Sequence, residues 1–80
     1  MARAEIKRYF IETMAEQVAG LLRQRIINGE FAPGTQLLPA VLGVEYNISR
    51  RTAARALGLL RTAGLVTIQD SRGSFVTFTE

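Results

Sequence analysis

The chain has 80 residues, 48% of them apolar and 21% charged, with ten basic and seven acidic side chains: one small domain with a thin core. It has no cysteine and no histidine, which excludes disulfides, thiolate or imidazole metal sites, and nucleophiles or bases built on those side chains. No apolar run approaches the ~20 residues of a membrane span, and Met1–Phe10 has no secretory-type apolar stretch, so a soluble cytoplasmic protein without membrane contact is expected.

After an N-terminal arm (1–10), residues 11–28 show a helical period, with Ile11, Met14, Val18, Leu21, Leu22 and Ile26 on one face. Arg23 and Arg25 fall on the outer face, as solvated charges. Asn28-Gly29 stops this helix, and Pro33-Gly34 marks a turn. Thr35-Gln36-Leu37 reads as a short extended piece. Pro39 opens a second helix, because a proline at the first helical position loses no needed donor. This helix runs to Tyr46, with Val41, Leu42 and Tyr46 facing inward, and Asn47 closes it in a left-handed conformation.

Ser49 is a suitable N-cap for a third helix over 50–63, which Gly64 ends. At about 100° per residue, Ala53, Ala56, Leu57 and Leu60 share the core face. Arg51, Arg55, Gly58 and Thr62 share the opposite face, with Arg50 and Arg61 along one flank and Thr52 and Leu59 along the other. Beyond Gly64 the period changes to two. Residues 65–69 and 74–79 read as the strands of a hairpin, with Asp70-Ser71-Arg72-Gly73 at its tip. The expected fold is therefore α+β, mainly α: a winged helix-turn-helix of three helices and a C-terminal hairpin, spanning 11–79.

Charge follows this layout. Residues 1–48 hold five cations and five anions, whereas 49–72 hold five arginines against Asp70 alone. Arginine's planar fork suits phosphates and guanine edges. In a helix-turn-helix the second helix enters the major groove and meets base edges near its N-terminus. Here that segment offers Ser49, Arg50, Arg51, Thr52 and Arg55. Arg72 and Gly73 at the hairpin tip are placed to reach a minor groove, where arginine is drawn by the negative potential. Arg61 reads as a partner of the helix C-terminal dipole or as a phosphate clamp.

Leu22 to Leu37, with its Gly29-Glu30-Phe31-Ala32-Pro33-Gly34-Thr35-Gln36-Leu37, is similar to the first helix and following segment of GntR-type winged-helix transcriptional regulators, whose DNA-binding domain the chain resembles from Ile11 to Val76. Leu38-Pro39 is similar to the opening of that family's second helix. Ile48-Ser49-Arg50-Arg51-Thr52-Ala53-Ala54-Arg55-Ala56-Leu57 is similar to its recognition helix, and Gly64–Ile68 and Gly73–Val76 to its wing strands. The segment after Pro39 is two residues shorter than the family pattern and lacks its phosphate-gripping arginine. Ala54 stands where the family has an arginine, Asn47 replaces the turn glycine, and Ser71 replaces the first wing glycine. The resemblance implies that Ser49, Arg50, Thr52 and Gly73 contact DNA; Arg51, Arg55 and Arg72 rest on helix geometry and charge.

These readings imply a sequence-specific double-stranded DNA-binding regulator, a repressor, acting as a homodimer on an inverted repeat. No cofactor or metal is expected, and no small-molecule effector if the chain is complete. The carboxylates near the basic segment, Asp70 and Glu45, form no catalytic constellation, so an enzyme is not expected. Two other readings stand beside the first: a non-specific or plasmid- or phage-maintenance DNA binder, and a winged-helix protein-interaction module.

Overall fold

In a computed structural model of the chain, residues 11–69 and 73–77 are described. The 1–10 arm, Asp70 to Arg72 at the hairpin tip, the end of the second hairpin strand and the side chain of Ile11 lie outside the described residues. The elements in chain order are α1 (Ile11–Ile27), β1 (Gln36–Leu37), α2 (Pro39–Tyr46), α3 (Arg50–Thr62), β2 (Val66–Gln69) and β3 (Gly73–Val76). Among the described residues, no helix is long and apolar enough to cross a membrane.

α1 buries Val18, Leu22 and Ile26, as the periodicity predicts, together with Ala15 and Ala19; Met14 and Leu21 pack against the edge of the same core. The two alanines let α3 approach closely, and α1 makes its most extensive packing against α3. α3 answers with Ala53, Ala56, Leu57 and Leu60, each at most 2% exposed. The spacing of these four around a 3.6-residue turn gives one apolar stripe, and burial of that stripe holds the helix in place.

α2 begins at Pro39, with Leu38 in an extended conformation before it, and ends at Asn47, whose φ of 55° is left-handed. Leu42 and Tyr46 are buried, but Val41 is 57% exposed and does not face inward as the sequence suggested. The helix has only eight residues, and its apolar side chains leave no polar stripe to mark the outer face. Gly43 is required here by contact: a Cβ would lie 2.9 Å from the Ile48 carbonyl oxygen. The bond from Ile48 N–H to the Gly43 carbonyl, 2.9 Å, closes the turn at that spot.

The hairpin is part of a three-stranded antiparallel sheet in the order β1-β3-β2. The short extended piece before α2 is thus its third strand, with Gln36 opposite Phe75 and Leu37 opposite Ser74. Hydrogen bonds from Gly34 N–H to the Val76 carbonyl (2.7 Å) and from Val76 N–H to the Thr35 carbonyl (2.9 Å) extend this pairing. Leu37, Leu65, Val66 and Val76 turn into the core. The wing is therefore anchored at its base to the segment that leads into α2.

Candidate nucleic-acid interface

The start of α3 is organised by Ser49. Its hydroxyl accepts from the Thr52 N–H at 3.0 Å and lies 2.9 Å from the Thr52 hydroxyl. This satisfies one of the four N–H groups that a helix start leaves without an internal partner. Thr52 itself is 1% exposed. The expectation that its side chain lies on a flank is thereby corrected: it is a buried residue whose hydroxyl lies at the cap. The Ser-x-x-Thr spacing, related to a capping box, is the sequence signal for that role.

Arg50, Arg51, Ala54 and Arg55 are exposed. Arg51 and Arg55 lie one turn apart, with Ala54 beside them. Neither Arg50 nor Arg51 forms an ion pair with a described carboxylate. The chemical reason is plain in the sequence, since α3 contains no acidic residue. Gly58, further along the same face, is half-buried, and its carbonyl accepts from the Thr62 hydroxyl at 3.1 Å. Arg61 stands in the last turn, where a cation complements the negative end of the helix dipole.

Gly73 opens β3 opposite Gln69 with φ of 103°, a conformation that favours glycine. A Cβ there would lie 3.6 Å from both Gln36 Nε2 and Leu38 Cδ2. Leu38 in turn lines an open, mainly apolar cleft of about 540 Å³ with Pro39, Ala40, Arg50, Arg51 and Ala54. The tip end of β3 and the first turns of α3 thus share one neighbourhood, bridged by Leu38. Arg72, the remaining predicted contact, lies outside the described residues.

One predicted solvated cation has a different role. Arg25 donates from Nε to Glu30 Oε2 (2.8 Å), and from Nη1 to Glu45 Oε2 (3.0 Å) and the Tyr46 hydroxyl (2.8 Å). Its guanidinium carbon sits 4.6 Å from the centre of the Phe31 ring. The hydrogen bond to Glu30 outweighs partial burial and, with the help of Tyr46 and Glu45, holds Arg25 above the ordinary arginine range. The same bond holds the Glu30 carboxyl below its usual range. Arg25 is therefore a clamp between the end of α1, the following turn and the end of α2. Its partners Glu45 and Tyr46 stand 20 and 21 residues away, so no local pattern announces them.

Residues 14–76 match the family of bacterial regulatory proteins named gntR. The chain is 36% identical over 61 residues to the HTH-type transcriptional repressor RspR of Escherichia coli K12, covering 76% of this chain and 27% of that protein. Among solved structures it is similar to a Rhodococcus sp. RHA1 protein described as a GntR transcriptional regulator, with a TM-score of 0.77 and 35% identity over 82% of this chain and 32% of the other. It is also similar to Streptococcus agalactiae BusR, solved in complex with its busAB-promotor DNA, with a TM-score of 0.73 and 25% identity over 80% of this chain and 32% of that one. The chain belongs to the GntR family of bacterial regulatory proteins and has the winged helix-turn-helix fold of its solved members. It spans about a quarter of the length of the curated relatives that it matches.

Proposed function

We propose that residues 11–79 form a sequence-specific double-stranded DNA-binding domain of a transcriptional repressor, preceded by an arm over 1–10. The observation that carries this reading is the outer face of α3, where Arg50, Arg51 and Arg55 are exposed on a helix without a single carboxylate. In the complex, α3 lies in the major groove. Arg51 and Arg55 meet base edges, and Arg50 grips a phosphate near the positive end of the helix. Ser49 holds the first turn in register, and its exposed position puts it at the groove edge. The wing tip over 70–73 lies at the adjacent minor groove, with Arg72 entering it and Gly73 allowing the backbone to come close. Two copies bind an inverted repeat, because one module covers too few base pairs for useful selectivity. RspR, a repressor, and BusR, bound to promotor DNA, support the reading.

The experiment is selection of bound duplexes from a random DNA pool, with the stoichiometry of the selected complex measured alongside. A short inverted repeat bound by two copies, with affinity falling steeply as salt rises, is the expected result. Binding of all duplexes within about tenfold of one another identifies a non-specific binder. Absence of binding to any duplex at ~50 mM salt identifies a protein-interaction module instead.

A further inference from the structure

The cleft beside the start of α3 has a composition that the arginine face alone does not explain. It is mainly apolar, lined by Leu38 (40% exposed), Pro39, Ala40 and the exposed Ala54, together with the exposed Arg50 and Arg51. Among the described residues, no carboxylate lines it. A fitting occupant therefore sets an apolar group against the aliphatic side chains and negative charge or hydrogen-bond acceptors against the arginines. On the major-groove edge of a duplex the apolar projection is the thymine 5-methyl group, flanked by phosphates and by base acceptors. Ala54 lies three residues after Arg51, about 60° away around the helix axis. A methyl group resting on Ala54 would thus leave Arg51 level with the neighbouring base pair. The cleft volume of about 540 Å³ takes the edge of a base together with its sugar, rather than a methyl group alone.

We infer that this cleft is a thymine-reading subsite, in which Ala54, backed by Leu38 and Pro39, receives the 5-methyl group while Arg50 and Arg51 engage the adjoining phosphates and base edges. This rests on the DNA-binding reading above and names a specificity-determining residue within it. Ala54 contributes by contact and size: its methyl group is small enough to admit the base edge and apolar enough to favour the methylated pyrimidine over uracil.

The test uses the unaltered protein and the selected duplex, in which each thymine is replaced singly by deoxyuridine. Removing the methyl group leaves every Watson–Crick bond and every phosphate in place. The expected result is an affinity loss of about fourfold at one position per half-site, the loss expected for one buried methyl-sized group, and near silence at the others. In Ala54→Ser the sensitivity at that position disappears, while the salt dependence of binding stays as it was. Silence of every thymine replacement, on a duplex that the protein binds selectively, overturns the subsite and leaves the recognition helix standing. A sensitive position that Ala54→Ser does not affect also overturns it, since the methyl group is then read elsewhere. Failure to bind any duplex instead refutes the parent reading.

Discussion

Arg25 in α1 and Arg51 in α3 carry the same side chain into opposite settings. Arg25 is surrounded by Glu30, Glu45, the Tyr46 hydroxyl and the Phe31 ring, so its charge and donors are satisfied within the molecule. Arg51 stands exposed at the head of a helix that has no carboxylate, with an apolar cleft beside it. The difference teaches that arginine content alone identifies no binding surface. What separates a structural arginine from one offered to a partner is the local supply of acceptors. The turn after α1 and the end of α2 supply them to Arg25, whereas α3 itself contains no carboxylate.

The comparison is broken most forcefully by removing each arginine in turn. Arg25→Ala deletes the hydrogen bonds to Glu30, Glu45 and Tyr46, so unfolding free energy should fall by about 2–3 kcal/mol in a urea titration. Affinity for duplex measured well below the unfolding midpoint should change little. Arg51→Ala reverses the pattern. Stability should stay within about 0.5 kcal/mol, as for other exposed positions, while binding to the selected duplex weakens by about 1–3 kcal/mol and base preference relaxes at one position. An Arg51→Ala protein that loses stability but keeps its affinity would erase the distinction.

Two smaller effects sharpen it. In Glu45→Gln the ion pair to Arg25 at 3.0 Å is replaced by a neutral hydrogen bond, and a double-mutant cycle with Arg25→Ala should return a coupling of about 0.5–2 kcal/mol. Glu30 should give the smallest effect. Its carboxyl is held below its usual range in the folded state by Arg25. The stability it contributes is therefore complete above the ordinary carboxylate pKa and is lost as pH falls through the depressed folded value. Because Glu30 is exposed, this loss is slight, and Glu30→Gln should lower the neutral plateau of a stability–pH curve slightly and flatten its acid side.

The helices and their ends were legible because each has a local cause. Pro39 starts α2, Asn47 takes the left-handed position, Ser49 caps α3, and the Ala53, Ala56, Leu57, Leu60 spacing fixes the face that α3 buries. The misreadings fall where the cause is distant or the pattern is silent. Val41 is exposed where the sequence suggests an inward position, because α2 is too short and too uniformly apolar to reveal its faces. The sequence places Thr52 on a flank because its polarity hides a core position, although its spacing from Ser49 points to the cap. Pairing of β1 with β3 and the partners of Arg25 depend on contacts that join separate elements. At the candidate site the exposed arginines were legible from helical geometry and charge. The cleft was not, since it is created by the approach of Leu38, Pro39 and Ala40 to the side of α3.

On the proposed reading, the face of α3 bearing Arg50, Arg51 and Arg55, and not the Arg25 clamp, meets the duplex. Backbone amide shifts recorded by NMR as the selected duplex is added test it residue by residue. The account predicts that the largest changes fall within residues 49–58 and at Gly73, with the amides of Arg25, Glu30 and Phe31 nearly still. Changes centred on the Arg25 clamp or on the Val41 and Val44 face of α2, with the start of α3 unmoved, would contradict it.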